Sequence, residues 1–424
     1  MKALLALLAG SFLFIGTAPL PLRAQESAPK ALGIPVEEYG ARRAKLQKAY
    51  ESVLVLIEAD PLLPGMENID ANTPVYDFVY LAGYHREGDI LALDPTEGVT
   101  LFVDGKIEAL KAASGISDVR ARGEFAKYLA KTLPKTKKAI TRLRKAAKKI
   151  VESLEDGTGA EVESASQKIG NAITRLRVVK SPAELDLIRK ASDATNKAHL
   201  LAMKACRPGV NEKALQNLIE DKFRSEGCDG LGFASIIGSG KNGTVLHYNE
   251  NKDPIPPASL VVCDIGASIK GYVTDITRTL PTSGKFTEEH KKAYQCVLDA
   301  QKAAEAILKP GVTFSQLVAA AQAVFEERGL EDWCYCHSRS GGPRHGLGHH
   351  VGLSVHDYGV QGAPMEPGMV ITIEPGYYNK KGSYGIRIED IYIVTKDGFE
   401  RMSAAPPREV DEIEAFMAGK KKDY

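Results

Sequence analysis

The sequence predicts an α+β fold in which a smaller α/β domain precedes a larger α+β domain. Before residue 105, short runs of β-branched and aromatic residues are separated by Gly, Pro and Asp, a pattern typical of strands and turns. From residue 179 onward, long amphipathic segments alternate with apolar strand patterns. The chain has 424 residues, enough for two such domains with separate cores.

The first 24 residues have the pattern of a secretory signal. Lys2 is followed by an apolar run from Ala3 to Gly16, and a Pro-containing stretch then ends at Ala24. This run is shorter than the roughly 20 residues that a membrane-spanning helix needs. We therefore expect cleavage after Ala24 and export of the protein, either to a periplasm or out of the cell.

Residues 31–178 are predicted to form the N-terminal α/β domain, which begins with a charged amphipathic helix from Glu37 to Tyr50. Between residues 120 and 177 the composition becomes rich in Ala, Lys, Glu and Leu, and residues 134–177 are predicted to form a basic helical hairpin that breaks at 156–159. The predicted strands are Val53–Ile57, Asp77–Gly83, Ile90–Leu93 and Thr100–Val103.

Residues 179–424 are predicted to form the C-terminal domain. Ser181 and Glu184 have the spacing of a helix capping box, with Pro182 at the first helical position. The predicted helices are Pro182–Cys206, Asn211–Glu226, Glu288–Leu308 and Phe314–Arg328, and the predicted strands are Ser259–Ala267, Gly271–Thr279, Val370–Glu374 and Ile386–Val394.

Basic and acidic residues are nearly balanced, at 55 and 54, so the formal net charge is +1. Such a chain has no global field that would attract nucleic acid or anionic lipid, and we expect neither as a partner. After the signal segment, the sequence contains no apolar stretch long enough to cross a bilayer, so no membrane association is expected.

Two pairs of carboxylates are spaced as if they faced each other across β-hairpins. Asp264 and Asp275 are 11 residues apart, and Glu374 and Glu389 are 15 apart, each pair centred on a turn-like segment. Like charges opposed on otherwise apolar strands destabilise a sheet. Two divalent cations would balance the four charges, so the sequence predicts a two-metal site. The alternative, in which the acids point into solvent at the hairpin edges, accounts less well for two symmetric pairs.

A histidine cluster strengthens this interpretation. Five of the nine histidines lie between His337 and His356, in a glycine-rich stretch. One imidazole among four carboxylates is an oxygen-dominated ligand set that suits Mn²⁺, Co²⁺ or Zn²⁺ in a two-metal cluster. His337 and His350 are interpreted as bystanders.

These residues resemble the pita-bread metallopeptidases, and within that family the aminopeptidase P and prolidase branch. The resemblance covers residues 179–405 well and the N-terminal domain more weakly. It implies a C-terminal pita-bread catalytic domain preceded by a smaller creatinase-like α/β domain. The motifs that carry it are Asp264–Thr279, His345–His349, Val355–Asp357, Ile373–Tyr377 and Gly385–Glu389.

The resemblance also implies two metal ions, with manganese favoured and cobalt or zinc as alternatives. The two ions would share a hydroxide that attacks the scissile carbonyl. The implied metal ligands are Asp264, Asp275, His349, Glu374 and Glu389. Glu374 would also relay a proton, and the other implied catalytic or substrate-binding residues are His247, His345, His356 and Arg387.

The activity implied by the resemblance is removal of an N-terminal residue that precedes proline in short peptides. We expect the protein to act as a homo-oligomer of two or four chains, exported as its signal-like segment predicts. A prolidase restricted to dipeptides is the alternative within the family. A metal-free pita-bread binding protein is the alternative of a different class, and methionine aminopeptidase is disfavoured by the large N-terminal domain.

Overall fold

The protein is described here by a computed structural model that covers residues 33–61, 75–105, 107–330, 346–360 and 362–419. The predicted signal segment, His337 and His345 lie outside the described residues. Within these ranges, no helix combines the length and apolarity needed to cross a bilayer.

A six-stranded mixed sheet organises the N-terminal part. Its strands are β1 Leu54–Glu58, β2 Ile90–Asp94, β3 Gly98–Val103, β4 Asp118–Ala121, β5 Lys138–Arg142 and β6 Glu161–Ser164. Their order in the sheet is β4-β3-β2-β1-β5-β6. The β1–β2 and β2–β3 pairs are antiparallel, whereas β3–β4, β1–β5 and β5–β6 are parallel. The helices are α1 Val36–Ala49, α2 Val75–Ala82, α3 Ile107–Ser114, α4 Phe125–Thr136, α5 Lys145–Thr158 and α6 Ser166–Val178.

The prediction of a strand at Asp77–Gly83 was wrong, because this segment lies in helix α2. Phe78, Leu81 and Ala82 are fully buried at helical spacing. A short apolar run buried in this way has no polar face, so its sequence does not distinguish a helix from a strand.

The predicted helical hairpin at 134–177 was also wrong, since this stretch contains two strands between its helices. β5 pairs in parallel with β1, and β6 with β5, so residues 138–178 form successive strand–helix units. The expected break was confirmed: α5 ends at Thr158, and Gly159 follows in the left-handed conformation with φ of 60°.

The second part of the chain places helices against several small sheets, and its predicted helices were confirmed to within one or two residues. The capping box was also confirmed: Ser181 Oγ accepts from the Glu184 N–H, and the Glu184 carboxylate accepts from the Ser181 N–H. The helices are α7 Pro182–Ala205, α8 Glu212–Ser225, α9 Glu288–Ile307, α10 Phe314–Glu327 and α11 Val410–Ala418.

The described strands of this part are β7 Gly230–Leu231, β8 Ile236–Ser239, β9 Leu260–Ile265, β10 Ala267–Ile269, β11 Tyr272–Val273, β12 Ile276–Pro281, β13 Val370–Ile373, β14 Gly376–Asn379, β15 Tyr384–Arg387, β16 Asp390–Val394 and β17 Phe399–Arg401. They form four sheets, with orders β12-β9-β8, β11-β10-β7, β13-β16-β17 and β14-β15. Their inner faces share a core with the helices, to which Val297 of α9, Phe325 of α10 and Ile371 of β13 contribute fully buried side chains.

Candidate metal centre

The register of the second hairpin is the one that the sequence predicts. Ile373 pairs with Asp390 and Gly376 with Arg387, so one register runs through both ladders. This register places Glu374 across from Glu389, in the gap between the two ladders. The two carboxylates therefore lie on the same face of the hairpin.

The register of the first hairpin differs from the prediction, because Asp264 pairs with Thr277 rather than with Asp275. The reversal is a tight turn at Lys270 and Gly271, whose φ values of 53° and 83° are typical of a two-residue hairpin loop. The predicted midpoint was one residue too early, which moves every partner by two positions. Because side chains alternate with a period of two, Asp264 and Asp275 remain on one face as diagonal neighbours.

Thr277 joins the two hairpins. It forms an isolated antiparallel bridge with Glu389, and its Oγ1 donates a hydrogen bond of 2.7 Å to Glu389 Oε2. The carboxylates of both hairpins consequently converge on one site. Sequence analysis did not single out Thr277, although its position two residues after Asp275 places it on the same face.

His349 completes the cluster from the loop that precedes β13. Its Nε2 lies 3.4 Å from Asp275 Oδ2, 3.5 Å from Glu374 Oε1 and 3.9 Å from Glu389 Oε1. Its Nδ1 lies 3.2 Å from the carbonyl oxygen of His350, so Nδ1 is the donor and the Nε2 lone pair points towards the acids. The loop approaches β13 so closely that a Cβ on Gly348 would lie 2.0 Å from the Thr372 carbonyl oxygen.

The four clustered carboxyl groups of Asp264, Asp275, Glu374 and Glu389 have too few positively charged neighbours to balance their charge. Burial raises the pKa of Asp275 and Glu374 well above the usual values, and the neighbouring Glu389 raises both further. Burial, followed by repulsion from Asp264, raises the pKa of Glu389 to about 8. Burial lowers the pKa of His349 to about 3, so this imidazole is neutral at physiological pH.

Arg387 supplies one positive charge to this cluster. Its Nη2 donates a 2.6 Å hydrogen bond to Asp264 Oδ2, and its Nη1 donates a 2.7 Å hydrogen bond to the hydroxyl of Tyr378. Tyr378 was not predicted, and the sequence carried no signal for it. One guanidinium cannot balance four carboxylates, so the remaining charge calls for ions from solution.

The residues fit a divalent cation site. Asp264 Oδ1, Asp275 Oδ1 and Glu389 Oε1 are buried and have no hydrogen-bond partner among the described residues. Asp275, His349 and Glu389 offer ligand atoms that all lie within 4.8 Å of one another. Buried carboxylate oxygens without donors, beside a neutral imidazole, are suited to metal coordination and costly without it.

A cavity of about 400 Å³ opens onto this cluster. His247 and His356 are exposed and line it, as predicted for residues that contact substrate. The His356 ring packs edge-on against His349 at a centroid distance of 4.4 Å. Apolar side chains also line the cavity, among them Phe233, Ile236, Leu246 and Val355, and Asn249 adds a polar one.

Buried ion pairs hold the loop that carries His349 and His356. Asp357, next to His356, accepts a 2.6 Å hydrogen bond from Arg177 at the end of α6. Arg177 also donates to Asp77 of α2 at 3.0 Å. Burial alone would raise the pKa of Asp357, but the charges of Arg177 and Lys180 outweigh burial and hold it below the usual value.

Comparison with known proteins places these residues in a family. Residues 186–396 match metallopeptidase family M24. The chain is 34% identical over 271 residues to an Escherichia coli Xaa-Pro aminopeptidase, covering 59% of this chain and 62% of the relative. It is 29% identical to the mitochondrial intermediate cleaving peptidase 55 of Arabidopsis thaliana, covering 91% and 83% of the two chains.

The solved structure of zinc-substituted Escherichia coli aminopeptidase P in complex with product superposes with a TM-score of 0.79, at 27% identity, covering 92% of this chain and all of that one. The predicted α+β class, with a pita-bread domain after a smaller α/β domain, is thereby confirmed. The chain belongs to the pita-bread metallopeptidases of family M24 and resembles their aminopeptidase P members.

Proposed function

We propose that this protein is a dinuclear metallopeptidase that removes an N-terminal residue preceding proline. The observation that carries the proposal is the convergence of three buried acids, the half-buried Glu374 and a neutral imidazole, with three carboxylate oxygens that find no donor among the described residues. The names of the relatives, Xaa-Pro aminopeptidase and aminopeptidase P, support the choice of substrate.

The five proposed ligands are Asp264, Asp275, His349, Glu374 and Glu389. When bound, two divalent ions lower the pKa of water, so that a hydroxide nucleophile is available near neutral pH, and they polarise the scissile carbonyl. Manganese is the proposed metal, with cobalt or zinc as alternatives, because the ligand set is dominated by oxygen.

The surrounding side chains would bind the substrate and move protons. Glu374 is the proposed general base: it is half-buried and lines the cavity, where its carboxylate can accept a proton from the attacking water. His356 would donate to the oxygen on which negative charge develops. His247 would line the pocket for the proline, while Arg387 holds Asp264 in place.

The test is hydrolysis of a proline-second tripeptide with and without a chelator, by the wild type and by Glu374→Gln. We expect the chelator to abolish cleavage and the substitution to lower kcat/KM by about 10²- to 10⁴-fold, the usual contribution of a general base. The variant should still bind metal through its other ligands, which metal analysis checks. Unchanged hydrolysis by the variant would refute the proposed role of Glu374.

Two further measurements test the alternatives. Cleavage of Xaa-Pro dipeptides without cleavage of Xaa-Pro-Xaa tripeptides would identify a prolidase instead. Fewer than one transition metal per chain after loading with Mn²⁺ would favour a metal-free binding protein.

We also propose that the protein is exported after cleavage at Ala24 and that it assembles as a dimer or tetramer. The N-terminal pattern supports export, and the family resemblance supports the assembly. The amino-terminal sequence of the mature protein and its mass in solution test the two proposals.

A further inference from the structure

We propose that Glu212 and Tyr248 are positioning residues for His247. They would fix the segment 239–253 so that the His247 imidazole stays at the cavity, and thereby set the preference for proline. The substrate part of this inference rests on the proposed function, whereas its geometric part does not.

Glu212 is the first residue of α8 and is fully buried. Its carboxylate accepts hydrogen bonds from donors that all lie between residues 239 and 253. Oε1 accepts from Ser239 N at 2.8 Å, Ser239 Oγ at 2.6 Å and Asn242 Nδ2 at 3.1 Å, and Oε2 accepts from the Tyr248 hydroxyl at 2.8 Å and Asp253 N at 3.0 Å. A buried carboxylate is costly unless its oxygens accept hydrogen bonds. Both oxygens of Glu212 accept hydrogen bonds from the segment 239–253, so they fix this segment against α8.

The Tyr248 hydroxyl lies at the centre of this arrangement. While donating to Glu212, it accepts from Asn242 Nδ2 at 3.0 Å and from Lys252 N at 3.3 Å. The hydroxyl therefore links both halves of the segment to α8. Its removal takes away three interactions at a buried position.

His247 is held through its two neighbours in the chain. On one side, the carbonyl oxygen of Leu246 accepts from Arg387 Nη2 at 3.4 Å; on the other, the Tyr248 hydroxyl donates to Glu212. The His247 side chain is exposed at the cavity, and the backbone at this position sets the region that the imidazole can reach. Loss of the Tyr248 anchor would leave the imidazole free to shift by an amount that matters for reactive geometry.

The geometric part is tested by hydrogen exchange of peptides that cover residues 239–253, in Tyr248→Phe and Glu212→Gln. We expect exchange of this segment to rise at least about tenfold, since a tenfold rise corresponds to the net loss of one buried hydrogen bond and the Tyr248 hydroxyl makes three. The matched control is Tyr294→Phe, which removes a buried tyrosine hydrogen bond to the Arg408 carbonyl oxygen far from this segment. Unchanged exchange in Tyr248→Phe would overturn the inference, even if Glu212→Gln failed to fold.

The functional part is tested by a double-mutant cycle with His247→Ala on a proline-second tripeptide. We expect Tyr248→Phe to lower kcat/KM about tenfold, mainly through KM, and to add nothing further in the His247→Ala background. An equal loss in both backgrounds would mean that Tyr248 acts only on stability and would overturn the positioning role. If the wild type cleaved no such peptide, the proposed function would fail, while the exchange result would still decide the geometric part.

Discussion

Glu389 and Asp390 are adjacent in the chain, and both are buried, yet they lie in opposite electrostatic environments. Burial and, after it, repulsion from Asp264 together raise the pKa of Glu389 to about 8. Burial also acts to raise the pKa of Asp390, but three arginines outweigh it and lower the value to about 2. The nearest of them, Arg278, lies 2.6 Å from Asp390.

The difference separates two uses of a buried carboxylate. On one face of the strand, the chain balances Asp390 with Arg278, Arg401 and Arg408. On the other face, it gathers four acids and supplies one arginine. Burial is the same in both places, so the presence or absence of partner cations decides whether an acid is structural or is available to a metal.

The largest expected effect on stability comes from replacing Asp390, the carboxylate that the three arginines balance. Asp390→Asn leaves three arginines facing a neutral group, and we expect the free energy of unfolding to fall by about 3–5 kcal/mol. Urea denaturation of the metal-free protein measures this change. The control is Asp397→Asn at an exposed position, where the change should stay within about 0.5 kcal/mol. Equal effects of the two substitutions would contradict the comparison.

The neighbouring substitution should act in the opposite direction. Glu389→Gln removes one of the crowded acids, so we expect it to stabilise the metal-free protein by about 1–3 kcal/mol. It also removes a proposed metal ligand, and calorimetric titration with Mn²⁺ should show the loss of tight binding. Destabilisation of the metal-free protein would mean that Glu389 is balanced by charges already present in the fold.

The smallest effect, counted per pH unit, is a pH dependence of stability in the metal-free protein. Glu389 has a higher pKa when folded, about 8, than when unfolded, where 4.5 applies. Between these values the folded state binds the extra proton, so stability is highest below about 4.5 and falls as pH rises to 8, by at most about 1.4 kcal/mol per pH unit. Thermal unfolding at several pH values measures this slope. Glu389→Gln should flatten it, and a slope of the opposite sign would exclude Glu389 as its source.

The sequence predicted the site better than it predicted the surrounding strands. Side chains alternate between the two faces of a strand, so a register error of two residues leaves each side chain on its predicted face. Asp264 and Asp275 were therefore correctly predicted to share a face, although the turn lies one residue later than predicted, at Lys270 and Gly271. Glu374 and Glu389 were matched across their hairpin as predicted.

The errors in the predicted secondary structure arose where contacts between residues distant in the chain, rather than the local sequence pattern, determine the conformation. β5 was predicted to be helical because residues 120–177 are rich in Ala, Lys, Glu and Leu, yet Arg142 at the end of β5 is buried and paired with Asp77, 65 residues away. The predicted strands around the site are also interrupted where the ligands lie: Asp275 precedes β12, Glu374 follows β13, and Glu389 separates β15 from β16. These breaks follow from the tertiary assembly of the site, whereas propensity favours continuous strands there.

The bridge between Thr277 and Glu389 has a consequence for folding. It joins residues 112 positions apart, so the two hairpins meet only after a long loop has closed. Contacts between residues so far apart in the sequence form slowly, because the entropy cost of closing the loop must be overcome first. We therefore expect each hairpin to be able to form without the other, and a chain that has not completed this closure to lack a place for the ions. Uptake of metal would then be a late event that reports the completed tertiary structure.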